Sequence, residues 1–197
     1  MKAGTQAISG ALLAALLLMP PVRAALEAGM RPHMLAQYPL LMLAGALLSS
    51  GVPPRVRRGF DAWNTMGISG LTAAVAFLTV LMIPRVLDLV LVDARAEALK
   101  FAALLLAGVL IRWSWHDAGR IVQAFFLGSM LPMTIVAGSL YQDAPLRLCN
   151  AYRLDEQQRL GGELIGAAIA IAIVWLWQAG RELIASDEAD DRRRTAD

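Results

Sequence analysis

An all-α polytopic membrane bundle of five to six transmembrane helices is the fold this sequence predicts, and two observations predict it. Of its 197 residues 57% are hydrophobic and only 17% are charged, and the mean hydropathy is +0.54. That balance is foreign to soluble enzymes and to disordered chains, which need low hydrophobicity and high charge. The second observation is that the apolar residues fall into runs near the ~20 residues that a helix needs to cross the hydrocarbon core. Within such a run every backbone N–H and C=O finds its partner inside the segment. Six runs are present: Ile8 to Val22, Met34 to Val52, Trp63 to Ile83, Phe101 to Trp115, Ile121 to Tyr141 and Gly162 to Ala179.

The first run has two readings. Lys2, the apolar stretch to Met19 and the small-residue site Val22-Arg23-Ala24 read as a signal peptide over residues 1–24; the same residues read equally well as an uncleaved signal anchor. Pro20 and Pro21 end the helix in both cases. The bundle proper occupies residues 25–181. Its second run descends to Arg55, Arg57 and Arg58, the densest short cationic loop, which the positive-inside rule assigns to the cytoplasm. The fourth run is lengthened upstream by Ala96, Ala98 and Leu99, with Glu97 and Lys100 expected at the interface. Counting on, 84–100 and 142–161 face outward, and 116–120 and the polar cytoplasmic tail 182–197 face inward. Ten Lys/Arg, Lys2 among them, then lie inside and eight outside.

Small residues recur at helix-packing spacing. Gly162, Gly166 and Ala170 form a stripe on the last run, expected to meet a neighbour within the bundle, with a dimer interface as the alternative, and Gly67 with Gly70 thins one face of the third. The pattern carries no internal repeat of the inverted-repeat transporter kind.

The chemistry-bearing residues are few. Basic and acidic residues number 18 and 16, so no cationic field points to nucleic acid. One cysteine, Cys149, excludes an intramolecular disulfide and a CxxC pair. No nucleophile–base set, HExxH helix or phosphate loop is present, which points away from an enzyme. His33 and His116 are the two histidines, placed by this topology on opposite sides of the membrane.

Met30, His33 and Met34 form a soft-ligand group near the outer end of the second run. Thioether and imidazole suit Cu(I), and on a helix the three share a face at i, i+3 and i+4. Pro32 interrupts the stretch, and methionine beside an apolar segment also serves as core filler. The outer loop then delivers Asp155, Glu156, Gln157 and Gln158, and places Glu163 in the first turn of the last helix. One reading is helix capping by Asp155 or Glu156. The other is a polar lid or docking surface beside His33.

At this loop the chain resembles the CtaG-type cytochrome c oxidase assembly factors. Ala144-Pro145-Leu146 and the stretch Leu154-Asp155-Glu156-Gln157-Gln158 with Gly161-Gly162 resemble that family's Pro-Leu-Tyr and Leu-Asp-Asp-Gln-Gln-Leu-Gly-Gly elements. In the same order, Gln37 with Leu40 to Leu43 resembles its Gln-His and Leu-Leu-Met, Pro84 to Asp88 its Pro-x-Leu-Tyr-Asp, and Ile111-Arg112-Trp113 the aromatic end of one of its helices. The likeness runs from about Met34 to Trp175. The family's paired histidines fall here on Met34 and Tyr38 and on Glu97 and Phe101, and none of the four is histidine.

The resemblance implies a non-enzymatic, multi-pass protein of the bacterial inner membrane that assists oxidase assembly. It would pass Cu(I) through Met30, His33 and Met34 at the outer face, with membrane lipid around it and a terminal oxidase subunit or copper chaperone as partner. The alternative is a metal-free structural protein that packs against an oxidase subunit or another membrane partner. A transporter ranks third, since interface positions account for Glu97, Arg112 and Glu163.

Overall fold

The structure is a computed structural model that describes residues 3–194, with side chains through residue 182. Lys2 and the tail side chains from Asp187 to Arg194 lie outside that description. Among the described residues there are nine α-helices and no strand: α1 (Ala3–Leu18), α2 (Pro20–Glu27), α3 (Tyr38–Leu48), α4 (Pro54–Trp63), α5 (Ile68–Leu81), α6 (Pro84–Val92), α7 (Ala94–Trp115), α8 (Gly119–Asp143) and α9 (Leu154–Arg194). A π-helical turn, Pro32–Gln37, leads into α3. Proline sets many of the starts: Pro20, Pro32, Pro54 and Pro84 stand in first turns, where the missing N–H has no partner to lose. Asp93 opens α7 by accepting hydrogen bonds from the Arg95 and Ala96 amides at 2.7 and 3.2 Å.

Three helices are long and apolar enough to cross a membrane: Pro32–Gly51, Gly119–Asp143 and Leu154–Glu182. Two bent pairs, α1 with α2 at 69° and α4 with the Thr65–Leu81 stretch at 70°, raise the number to five if each is one span. The apolar runs of the sequence thus resolve into helices, with two of them broken. The charges at Arg95, Glu97, Lys100 and Arg112 set α7 apart from the three spans.

The helices alternate in direction. At one end, which we call the loop end, α2, α6 and the 144–153 segment gather. At the other, the elbow end, the Ser50 hydroxyl donates to the Ala3 carbonyl, Arg112 donates to Gln6, and Arg120 pairs with Glu182. α7 is the central helix, burying Lys100, Phe101, Leu104, Ala107, Gly108, Leu110, Trp113 and Ser114. It crosses α3 where Gly45 meets the Leu105 backbone and Gly108 meets the Met42 backbone; a Cβ at either would overlap main chain. α1 lies along α3, with Gly10 against the Ala44 and Leu48 backbones and Leu17 in the main core. By contrast α8 is only 11% buried over its apolar window. Ile121 and Phe125 are 87% and 76% exposed, a surface that water would not tolerate and lipid would.

One small-residue expectation changes. Gly161, not Gly162, makes the close contact of α9, backbone to backbone with Gly138 of α8; Gly162 and Gly166 face open space and Ala170 is exposed. The stripe therefore points away from the bundle. Gly67 and Gly70 do thin α5, both against Ser114 of α7.

Candidate functional site

The loop end holds a polar cluster built on Lys100, whose side chain has no solvent exposure. The sequence places this lysine at a membrane interface with its head in water; the fold instead turns it inward. The bend at Pro20 swings α2 over the end of α7 and brings Glu27 above Lys100. The Lys100 ammonium donates to Glu27 Oε1 at 2.6 Å, Gln37 Oε1 at 3.1 Å and His33 Nε2 at 3.2 Å. An ammonium has three protons, and all three are placed. Gln37 Nε2 in turn donates to Glu27 Oε1 at 3.0 Å. Arg23 pairs with Glu97 at 2.9 Å and lies 4.0 Å from the second Glu27 oxygen. Two cations and two carboxylates thus cancel in a cluster drawn from α2, the π turn and α7.

His33 is fully buried, and the hydrogen bonds around it fix its tautomer. The Tyr152 hydroxyl has one proton and donates it to the Glu27 carbonyl at 3.1 Å. Its oxygen therefore accepts from His33 Nδ1–H at 2.7 Å. The proton-free Nε2 then accepts from Lys100. Tyr38 packs edge-on against the imidazole with centroids 5.4 Å apart. Burial pushes the Tyr152 phenol far above its ordinary range, so it stays a neutral donor at every physiological pH.

The π turn is what aims these groups. His33, Met34 and Gln37 are buried together on it, and Met30 just before it is also fully buried. The predicted soft-ligand group is thus brought to one place, but not as a vacant ligand set. Both imidazole nitrogens are engaged, and a lysine ammonium occupies the space that a cation bound to Nε2 would need. Met30, His33 and Met34 in this arrangement do not fit Cu(I), which would meet a fixed positive charge at hydrogen-bond distance from its nitrogen donor. Among the described residues no group of three or more His, Cys, Asp or Glu side chains is placed to hold a metal.

The loop residues separate into distinct roles. The last helix starts at Leu154 rather than Gly162, so Glu163 stands about two and a half turns inside it. There it grips Arg31 through two contacts, with Nε to Oε2 at 2.8 Å. Glu156 accepts the Met30 amide at 3.2 Å. Gln157 is buried, accepting the Leu148 amide at 2.8 Å and donating to the Tyr141 carbonyl at 3.1 Å. Asp155 is exposed and, among the described residues, pairs only with Arg153 beside it at 3.0 Å, and Gln158 is exposed. Glu156, Gln157 and Glu163 therefore fasten α9 to the 29–34 segment and to the loop, while Asp155 and Gln158 stand outside the cluster. The residue that reaches His33 is Tyr152. Asp88 of α6 holds the same loop by accepting the Asn150 and Ala151 amides at 2.8 and 3.1 Å.

Glu27, Lys100 and Tyr152 are the members that sequence reasoning misses. A charged residue one turn into an apolar run is the available signal for Lys100; its partner 73 residues away leaves no local trace. His116 lies at the elbow end with its side chain 98% exposed, about 24 Å of helix rise from Lys100, so the two histidines lie at opposite ends of the bundle. Glu97, Arg112 and Glu163 each have a partner in the protein. No family model, no curated protein and no solved structure matches this chain.

Proposed function

We propose that the chain is a non-enzymatic, multi-pass membrane protein that assists cytochrome c oxidase assembly by holding an oxidase subunit, or another membrane partner, without carrying metal itself. The bacterial inner membrane, and five spans with α7 as a sixth, complete the reading. The resemblance over the 154–162 stretch supports the assembly role. One observation carries the metal-free form: the Lys100 ammonium bonded to His33 Nε2 at 3.2 Å. A site whose charge is balanced from within has no use for an added cation. The packing of α1 on α3 and the Arg23–Glu97 pair favour retention of residues 1–24 as a signal anchor.

Partner capture with metal analysis tests it. The full chain, tagged and purified in mild detergent from its native membrane, is expected to bring a membrane partner at fixed stoichiometry with copper well below one atom per chain. Stoichiometric Cu(I) that is lost in Met30→Ala, His33→Ala and Met34→Ala variants would establish copper handling instead. Absence of any partner would remove the assembly role.

A further inference from the structure

At the elbow end α4 has features that the assembly reading does not use. Its sequence, Pro54-Arg-Val-Arg-Arg-Gly-Phe-Asp-Ala-Trp63, puts Arg57, Arg58 and Asp61 on one face and Val56, Phe60 and Trp63 on the opposite one at 100° per residue. None of its residues is buried. Arg55, Arg57 and Arg58 are exposed, and among the described residues none of them pairs with a carboxylate. Val56 and Trp63 are 56% and 60% exposed.

The orientation of α4 is built in. Met66 and Gly67 are both left-handed, at φ 55° and 71°, which turns the chain between α4 and α5. Asn64 locks that elbow, donating to the Ser114 hydroxyl at 3.0 Å while its Oδ1 accepts the Gly70 amide at 2.7 Å. Phe60 packs on Trp113 with centroids 5.1 Å apart. The helix is thus held 70° from the stretch that follows it, so with α5 along the membrane normal α4 lies near the membrane plane. An amphipathic helix so placed, with arginines on one face and an indole on the other, has the form of an interfacial element. Beside it, Ile68, Leu71, Val75, Val122, Phe125 and their neighbours line an apolar groove of about 450 Å³ between α5 and α8.

We infer that α4 is an interfacial helix whose arginine face binds the headgroups of anionic phospholipids, with Trp63 and the α5–α8 groove against their acyl chains. An acidic protein segment would satisfy the arginines alone. It would leave Val56, Trp63 and Met66 without an apolar environment, whereas a lipid supplies both. The inference rests on the membrane reading of the fold but not on any oxidase partner.

The experiment uses the full chain in phosphatidylcholine vesicles with brominated phosphatidylglycerol or brominated phosphatidylcholine as tryptophan quencher. The parent is expected to favour the anionic lipid roughly threefold to tenfold, from basic residues held at the surface. The triple variant Arg55→Gln, Arg57→Gln, Arg58→Gln should bring that ratio close to one. Asp61→Asn, which removes the only carboxylate of α4, should raise it, and Trp63→Phe should lower the quenched fraction. A chain that floats with vesicles but shows the same ratio in parent and triple variant overturns the inference and leaves a protein partner for the arginines. A chain that does not float with vesicles at all overturns the membrane reading itself.

Discussion

The Lys100 ammonium stands 3.2 Å from His33 Nε2, and this contact makes that imidazole nitrogen a hydrogen-bond acceptor. A buried ion pair broken on one side leaves the other charge uncompensated, at a cost of about 3–5 kcal/mol. Glu27 keeps some exposure, so Lys100→Met is expected at the low end, about 3 kcal/mol, read as lost thermal stability in detergent. Adding Glu27→Gln should restore part of that loss. A double variant no more stable than Lys100→Met alone would show that the two residues do not act as a pair.

The same contact governs copper. In competition with a Cu(I) chelator the parent and the His33→Ala variant should behave alike. Lys100→Ala, which frees Nε2, should be the variant that gains affinity. Equal gain in none of them, with tight binding in the parent, would contradict the metal-free reading.

Two sets of glycines should respond oppositely. Gly45→Val or Gly108→Val puts side-chain atoms into the facing backbone of the α3–α7 crossing and is expected to cost several kcal/mol or abolish folding. Gly162→Ala and Gly166→Ala meet open space on an exposed helix face. They should leave the bundle intact and stabilise α9 by about 0.5–1 kcal/mol each. Loss of partner capture in well-folded Gly162→Leu or Gly166→Leu would then mark that face as the contact surface, separate from the fold.

Cys149 is buried beside the Pro84 carbonyl, and burial, with Asp88 nearby, pushes its thiol from 9.0 up to about 12. Maleimide labelling at pH 8 is expected to be at least a hundredfold slower in the native protein than after unfolding in SDS. The sign of its pH effect follows from linkage: between pH 9 and about 12 the folded state keeps a proton that the unfolded state has lost. Its contribution is therefore full below pH 9 and declines as pH rises through that window. Fast labelling in the folded state would mean that the 144–153 loop opens readily.

Much of the bundle is legible in the sequence because a bilayer imposes one simple rule, apolar runs that satisfy their own backbone. Breaks within those runs are less legible. Pro20 announces the first, but the elbow after Trp63 depends on Asn64 meeting Ser114 fifty residues later. The site is legible to the same degree. His33, Met30 and Met34 draw notice as soft ligands, and the structure does gather them. What decides their chemistry is Lys100, whose charge reads from sequence as something to keep in water. Only a fold that turns Glu27, Gln37 and His33 toward one point makes its burial tolerable. The stripe at Gly162 fails for another reason, since spacing cannot tell an inward face of a helix from an outward one.

The π turn over Pro32–Gln37 also bears on how this chain is compared with others. Such a turn holds one residue more than an α turn, so residue-by-residue matching slips by one position across it. His33 and Tyr38, five residues apart, consequently sit ring against ring, as residues four apart would on an ordinary helix. Distances through space, rather than spacing along the chain, decide which side chains of such a turn can meet.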